Sequence, residues 1–316
     1  MARRKKGRPI DGWLVLDKPL GLSSAQAVAK ARWLLQAAKA GHAGTLDPLA
    51  TGILPIAFGE ATKTMNFVVD GDKTYRFTVK FGVSTDTDDR EGQILAESPA
   101  RPADSALIGA IPGFLGALSQ IPPIYSALKV AGARAYDLAR AGIVPDLPAR
   151  LVRVDALRLL DRPDPDHAIF EVDCGKGTYV RSLARDLARA VGTLGHVAEL
   201  RRLKVGRFTL ERAISLDELA ASAQTAAVER LLLPLETALD DIPALALTEA
   251  EAHRLRQGQM VALLGRPDME RLVALQAEVE QAGREPTILA LAAGRLVALA
   301  RLENGQVKPV RVINQR

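Results

Sequence analysis

Residues 41–55 read Gly41-His42-Ala43-Gly44-Thr45-Leu46-Asp47-Pro48-Leu49-Ala50-Thr51-Gly52-Ile53-Leu54-Pro55, a composition that fits neither a helix nor a strand. Gly41, Gly44 and Gly52 permit positive φ or close approach of another chain; Pro48 and Pro55 fix φ and each remove a donor. The residue before a proline is pushed out of the α region, so Asp47 is expected in extended backbone, its carboxylate presented by a stiff loop. The apolar run Ile53 to Phe58 has the length of a buried strand. A rigid loop that displays one His and one Asp ahead of a core strand is where function concentrates. The competing reading is a turn in which Thr45 or Asp47 caps the backbone. A lone Asp-Pro would favour that turn; a His, three glycines and two prolines in one segment favour a functional loop.

Around this loop lie 316 residues, which fit one domain of ordinary size plus a smaller one. Hydrophobic residues make up 48%, enough for a sizeable core, so the chain is expected to be globular. The formal charge of +5 and the pI near 9.4 are compatible with a polyanionic partner without requiring one. Cys174 is the single cysteine, so no intrachain disulfide can form, and no Cys/His cluster has zinc spacing. No apolar run is long enough to span a bilayer and no signal-peptide core is present, so a cytoplasmic location is expected.

The chain begins with a basic run, Arg3-Arg4-Lys5-Lys6, read as a solvated tail. Gly12 to Leu16 reads as a short strand. Ser23 or Ser24 caps a helix expected to run to about Ala40, with Val28, Trp33 and Leu35 among its apolar positions. Lys73 to Gly82 alternates, with Tyr75, Phe77, Val79 and Phe81 on one face. Ser84 to Asp89 is acidic and turn-like. Ser105 to Leu118 reads as a helix interrupted by Pro112, and Gln120 to Lys129 as an irregular connector. A short helix, Arg134 to Ala141, sets Tyr136 and Arg140 four apart. Strands follow at Leu151–Leu160 and Ala168–Asp173.

Gly175 and Gly177 then hand over to a helix with Leu183, Leu187 and Val191 buried. Arg181, Arg185 and Arg189 recur on an adjacent stripe, the reading for each being a solvated face. Leu200 to Arg207 is basic and strand-like, Ser215 to Leu239 helical, and Asp240 to Pro243 a linker. The tail starts with a helix and ends in strands at Leu296–Leu302 and Val307–Ile313, turned at Asn304-Gly305.

The residues able to carry chemistry are Asp47, His42, Tyr75, Tyr179 and Arg181. A metal site would want a second ligand near Asp47, and a glycosidase a second carboxylate in a loop of this quality. A serine hydrolase would want Gly-x-Ser-x-Gly, which is absent. Gly175-Lys176-Gly177-Thr178 has the wrong spacing for a phosphate loop. What survives is one carboxylate near arginines and tyrosines on a mildly basic chain.

Gly41 to Gly52 closely resembles the signature of the TruB-type tRNA pseudouridine synthases. Supporting matches are Leu16-Asp17-Lys18-Pro19, Gly59-Glu60-Ala61-Thr62-Lys63, Asp72-Lys73-Thr74-Tyr75, Pro122 to Lys129, Lys176-Gly177-Thr178-Tyr179-Val180-Arg181 and Leu200-Arg201-Arg202-Leu203, which span roughly the first two thirds of the chain. The tail resembles a small β-rich PUA-like RNA-binding domain, with Leu264 to Pro286 as extra material.

The resemblance implies an α+β pseudouridine synthase fold, a mixed, largely antiparallel sheet flanked by helices. It implies a catalytic domain over residues 1–243, with an RNA-contacting insertion at about 120–150, and a PUA-like domain over 244–316. It implies isomerisation of the uridine at tRNA position 55, in the T-loop, with no cofactor or metal. The partner would be tRNA through its T-loop and stem, and the protein a monomer without an obligate protein partner. Asp47 would be the nucleophile, on ribose or base, with Arg181 as its cation. Tyr75 would stack on the flipped uracil and Tyr179 would stand near C5. His42 would contact RNA, Leu200 would wall the pocket, and Lys63 and Lys18 would touch phosphates or brace the loop. Further RNA contacts are expected from Pro122 to Arg140, from Arg201 and Arg202, and from the tail. The related guide-RNA enzymes of ribonucleoproteins, and an RNA-folding protein with secondary catalysis, are the alternatives.

Overall fold

A computed structural model of the chain describes residues 7–126, 128–130, 133–143, 145–223, 230–240, 242–262, 277, 287–303 and 305–314. The order of elements is β1 (Gly12–Lys18), α1 (Ser24–Leu34), β2 (Ala40–His42), β3 (Ala50–Phe58), α2 (Met65–Asp70), β4 (Lys73–Phe81), β5 (Val83–Thr85), β6 (Ile94–Glu97), α3 (Asp104–Ala110), β7 (Gly116–Gln120), β8 (Lys129–Val130), β9 (Ala133–Arg134) and α4 (Ala135–Arg140). Then come β10 (Arg150–Asp164), β11 (His167–Cys174), α5 (Val180–Ala190), β12 (Gly195–Val205), β13 (Phe208–Thr209), α6 (Leu216–Ala223), β14 (Ala244–Leu247), α7 (Glu249–Arg256), β15 (Val261–Ala262), β16 (Thr287–Ala292), β17 (Arg295–Glu303) and β18 (Gln306–Val312).

Among the described residues, nine strands form the main sheet in the order β1-β3-β12-β4-β11-β10-β7, with β2 added to β3 and β13 to β12. All pairings are antiparallel except β3 with β12, where Ala50, Thr51 and Gly52 lie beside Leu200, Arg201 and Arg202. The mixed, largely antiparallel α+β sheet expected from the sequence is therefore present. That single parallel contact places the loop before β3 beside the middle of β12.

The period-2 pattern of strands divides the side chains between two cores. Leu14, Leu16, Leu54, Phe77, Phe170 and Leu200 pack on one face, together with Ala27 and Ala31 of α1 and Leu183 and Leu187 of α5. Trp13, Val15, Ile53 and Phe208 point the other way, against Leu289, Leu296 and Leu299 of a second sheet. That sheet, β14-β16-β17-β18-β15, has its own core with Ala252 and Leu255 of α7. A capping box of Thr248 and Glu251 starts α7, satisfying backbone donors that the first turn leaves open.

Several elements differ from the sequence expectation. Ser23 caps α1 in a capping box with Gln26, but the helix ends at Leu34, well before Ala40, because Gln36 takes a positive φ of 51° and turns the chain. Trp33, expected among the buried apolar positions, is 75% exposed. Residues 116–120 form β7 instead of continuing a helix: Pro112 closes a short 3₁₀ turn over Ile111–Phe114, and Gly116 turns at φ 81°. Gly41 and His42 belong to β2, opposite Ala57 and Ile56, so the irregular part of the opening stretch narrows to residues 43–49. The segment 215–239 holds α6 and a 3₁₀ turn, Leu235–Ala238. The tail has three strands more than expected, β14, β15 and β16. Arg3 to Lys6, Asp241, Leu264 to Pro286 apart from residue 277, and Asn304 lie outside the described residues.

Candidate active site

The loop 43–49 is held by hydrogen bonds from four directions. Ser24 Oγ accepts from the Leu46 N–H (2.7 Å) and donates to the Leu46 carbonyl (2.9 Å), tying the loop to the start of α1. The Gly21 N–H and Lys18 Nζ donate to the Pro48 carbonyl, and the Ala43 N–H donates to the Pro55 carbonyl. Arg202, 1% exposed, supplies the rest. Its Nε donates to Ile53 O (2.7 Å), Nη2 to Gly44 O (3.1 Å) and Nη1 to Thr45 O (3.4 Å). A buried carbonyl without a partner costs about 1–3 kcal/mol, so one guanidinium settles the main desolvation cost of this loop. Gly52 is obligatory here. It sits at φ 99°, and a Cβ would stand 2.2 Å from the Arg202 carbonyl oxygen.

On this base Asp47 presents a partly exposed carboxylate to Arg181, Nη2 to Oδ2 2.9 Å. Arg181 extends from the first turn of α5 and is otherwise fully occupied. Nη1 donates to Thr87 O and Nη2 to Tyr125 O, each at 2.9 Å, and Nη1 lies 3.5 Å from the buried carboxylate of Asp89. Asp89 is itself fixed, accepting from Thr87 Oγ1 (2.6 Å) and the Glu91 N–H (3.0 Å). Asp89 was missed by sequence reasoning; its signal was the acidic run 84–89, read only as a turn. The arginine stripe on α5 faces this run and not solvent alone. Arg185 pairs with Asp88 at 2.8 Å, while Arg189, 64% exposed, fits the solvated reading.

Tyr75 lies two residues after Lys73 on β4, opposite Arg202 and Val172, and packs half-buried against the core that contains Leu200, Phe77 and Leu49. Burial pushes its hydroxyl up, against the pull of Arg202. Tyr179 is the residue before α5. Its backbone is gripped by Gln120, which accepts from the N–H (2.8 Å) and donates to the carbonyl (3.1 Å). Burial pushes the Tyr179 hydroxyl up as well, Arg181 opposing and Asp47 adding to the shift. At Tyr179 the pull of Arg181 does not win over burial. Leu200 is 8% exposed and lines a cavity of about 360 Å³ with Leu49, Thr51 and Arg201. His42 is half-buried on β2, its Nδ1 without a partner; burial and then Arg202 hold its pKa down, so it is neutral at pH 7.

The two lysines separate. Lys18, fully buried, donates to Pro19 O (2.9 Å), Leu22 O (2.6 Å) and Pro48 O (3.4 Å), so it braces the loop from beneath. Burial drives its pKa down to about 8, with Asp47 pulling the other way. Lys63 lies away from the loop. It bridges Glu60 (2.7 Å) and the Val312 carbonyl (2.8 Å), while the Asn314 N–H donates to Glu60 (2.7 Å), so it ties the second sheet to the first. Of the expected RNA contacts at 201 and 202, Arg202 is excluded by its burial, and Arg201 is engaged by Asp17 through both oxygens (3.0 and 2.7 Å). In α4 the Arg140 guanidinium stacks over the Tyr136 ring at 4.4 Å, as their spacing suggested.

The family profile described as TruB family pseudouridylate synthase (N terminal domain) matches residues 32–180, and that described as tRNA pseudouridylate synthase B C-terminal domain matches residues 181–240. A tRNA pseudouridine synthase B of Caulobacter vibrioides is 52% identical over 99% of this chain and 99% of its own. One from Rhodospirillum rubrum is 50% identical over 99% and 100%. Among solved structures, a Cbf5-Nop10-Gar1 complex contains a chain with TM-score 0.71 and 23% identity, covering 100% of this chain and 92% of that one. An H/ACA RNP bound to a substrate RNA containing 2'-deoxyuridine contains another with TM-score 0.70 and 21% identity, covering 100% and 92%. These structural likenesses speak to the fold.

Proposed function

The chain belongs to the TruB family of pseudouridylate synthases, and from that premise we propose that it isomerises the uridine at position 55 in the T-loop of tRNA to pseudouridine, with Asp47 as nucleophile. The observation that carries the residue assignment is the ion pair of Asp47 with Arg181, a half-open carboxylate on a guanidinium that three further acceptors immobilise. Pre-set geometry of this kind removes orientational freedom before the chemical step.

In this reading the target uridine is flipped out of the loop, which costs a few kcal/mol. Tyr75 stacks on the extruded uracil, Leu200 walls its pocket, and His42, neutral and half-buried, takes an RNA contact. The glycosidic C1′–N1 bond breaks as Asp47 attacks the ribose or the base. The uracil turns, C5 bonds to C1′, the bond to the Asp47 carboxylate is released, and the proton on C5 is lost while N1 gains one, so atoms balance and Asp47 is regenerated without a cofactor. Tyr179, whose hydroxyl burial holds protonated, stands near C5 to relay that proton or to position a water for it.

The domain reading goes with this function: residues 1–243 catalytic, with an RNA-contacting insertion at about 120–150, and 244–316 a PUA-like RNA-binding unit. The second sheet with its own core supports the division. The partner is tRNA, contacted at the T-loop and stem by a monomer, and the location cytoplasmic. Among the described residues no helix is long and apolar enough to cross a membrane. Identity of about 50% with tRNA pseudouridine synthases B, against 21–23% with chains from an H/ACA RNP and a Cbf5-Nop10-Gar1 complex, favours the stand-alone reading over the guided one.

The test is an unmodified tRNA transcript labelled at C5 of uridine, incubated with the protein and a chelator, with product mapped by position. Release of label at the single T-loop uridine, lost in Asp47→Asn while tRNA binding persists, is the expected result. Product from Asp47→Asn, or product elsewhere only, would overturn it.

A further inference from the structure

The segment 120–126 is fixed against the first turns of α5 at three of its residues. Gln120 grips the backbone of Tyr179. The Ile121 carbonyl accepts from Ser182 Oγ (2.8 Å) and Arg185 Nη2 (3.0 Å). The Tyr125 carbonyl accepts from Arg181 Nη2 (2.9 Å), the same nitrogen that holds Asp47. Pro122 and Pro123, both buried, fix φ between these points and stiffen the path. Ser126 comes next. Its N–H donates to the Ile124 carbonyl (3.0 Å) and its carbonyl accepts from the Tyr136 N–H (3.1 Å), so its backbone is held on both sides. The side chain is 4% exposed, and its enclosed Oγ completes no hydrogen bond among the described residues. A buried hydroxyl in this state costs stability, so its place beside a reacting group calls for a role. The group it acts on is the Tyr179 hydroxyl. Burial pushes that hydroxyl up; Ser126, then Arg181, pull the other way, Asp47 adds to the shift and Arg150 opposes it.

We propose that Ser126 is a positioning residue for the isomerisation: with substrate in the cleft its hydroxyl donates to Tyr179 Oη and leaves the second lone pair of that oxygen aimed at the proton on C5. Hydrogen bonds of this kind are often open in the free enzyme and tighten in the complex. In the relay Tyr179 gives its own proton to water in the cleft and takes the one from C5, so the tyrosine ends as it began and atoms balance. Negative charge that builds on Tyr179 Oη during the exchange is met by Ser126 as well as by Arg181. A donor fixed before the reaction starts costs no reorganisation at that moment, and the bonds of segment 120–126 to α5 supply the fixing. The inference rests on the reading given under Proposed function, in which Tyr179 stands near C5.

The test uses the full chain and an unmodified tRNA transcript in single-turnover kinetics. Ser126→Ala is expected to slow pseudouridine formation at saturating tRNA about tenfold, the worth of one hydrogen bond, with tRNA affinity within about twofold of wild type. Its melting temperature is expected at or above the wild-type value, since alanine removes a buried hydroxyl that lacks a partner. Deuterium at C5 of the target uridine is expected to slow Ser126→Ala more than wild type, because loss of that proton becomes the slow step. A readout independent of turnover is the 13C resonance of Tyr179 Cζ in protein carrying labelled tyrosine, assigned with Tyr179→Phe. Asp47→Asn holds the tRNA unreacted, and adding Ser126→Ala to it is expected to shift that resonance in the complex. Wild-type rate in Ser126→Ala, an unchanged isotope effect or an unmoved resonance overturns the proposal. So does a variant that loses stability and tRNA affinity but keeps its rate at saturation. The two readings fail separately: pseudouridine made at full rate by Ser126→Ala sinks this one alone, and a shifted resonance in a chain that makes no pseudouridine sinks the catalytic one.

Discussion

Arg181 Nη2 stands 2.9 Å from Asp47 Oδ2, and the pair is lopsided in exposure: the arginine side chain is 5% exposed, the aspartate 36%. The cation belongs to the interior and the anion to the cleft. A carboxylate placed so keeps one oxygen for its partner and turns the other toward whatever enters.

Arg181→Lys keeps the charge but loses the planar fork that reaches Thr87 O, Tyr125 O and Asp89 at once. The rate of pseudouridine formation should fall about 10²-fold, the scale of a misplacement near 1 Å, with tRNA affinity within a few-fold of wild type. Single-turnover kinetics beside filter binding measure both. Asp89→Asn should fall in the same direction by a smaller factor, since it loosens Arg181 without removing it.

Arg202→Met strips donors from the carbonyls of Ile53, Gly44 and Thr45 inside the core. A loss of about 2–4 kcal/mol in unfolding free energy is expected, read from urea melts. Gly52→Ala should fail more severely, because positive φ and a 2.2 Å approach to the Arg202 carbonyl leave no room for a methyl group. Wild-type stability in either variant would show that the loop is not held as described.

Lys18 ties pH to stability. Its folded pKa, about 8, lies below the ordinary lysine value of 10.5, so between these pH values the unfolded chain binds more protons. Stability relative to Lys18→Met should therefore rise as pH goes from about 8 to 10.5 and be flat below. Paired denaturant melts at pH 7, 9 and 10.5 measure the difference. A falling difference would mean that Lys18 stays charged in the fold.

Lys63→Ala removes the bond to Val312 O and the pair with Glu60. The expected outcome is faster limited proteolysis of the C-terminal sheet and about 1 kcal/mol of destabilisation, with kcat unchanged on a T-arm hairpin. A specific loss of RNA affinity with unchanged proteolysis would return Lys63 to a phosphate-contact role.

Local pattern was enough for much of the fold. The alternation in Lys73 to Gly82 gave β4 with its buried face, and the apolar run after Gly52 gave β3, because strand periodicity and burial are written residue by residue. The Ser23 cap was legible for the same reason. The end of α1 was not, since Trp33 and Leu35 read alike as apolar and only packing sends Leu35 inward and Trp33 outward. β7 was hidden by a helical-looking run that Pro112 and Gly116 divert.

The sequence by itself determined the loop, its carboxylate, the family likeness and the mild positive charge, since each is a property of neighbouring residues or of ordered motifs. Tertiary structure decided which charges meet. Arg202 looked like one more surface cation beside Arg201, and became the buried anchor of the loop because the parallel pairing of β12 with β3 puts it under Gly52. Asp89 looked like a turn residue, and became the second partner of Arg181 because segment 88–90 runs beside Val197 on β12. Contacts such as Asp47 with Arg181, or Arg202 with Gly44, join residues that sequence spacing cannot relate, and burial fixes which of several arginines gives up its water to make them.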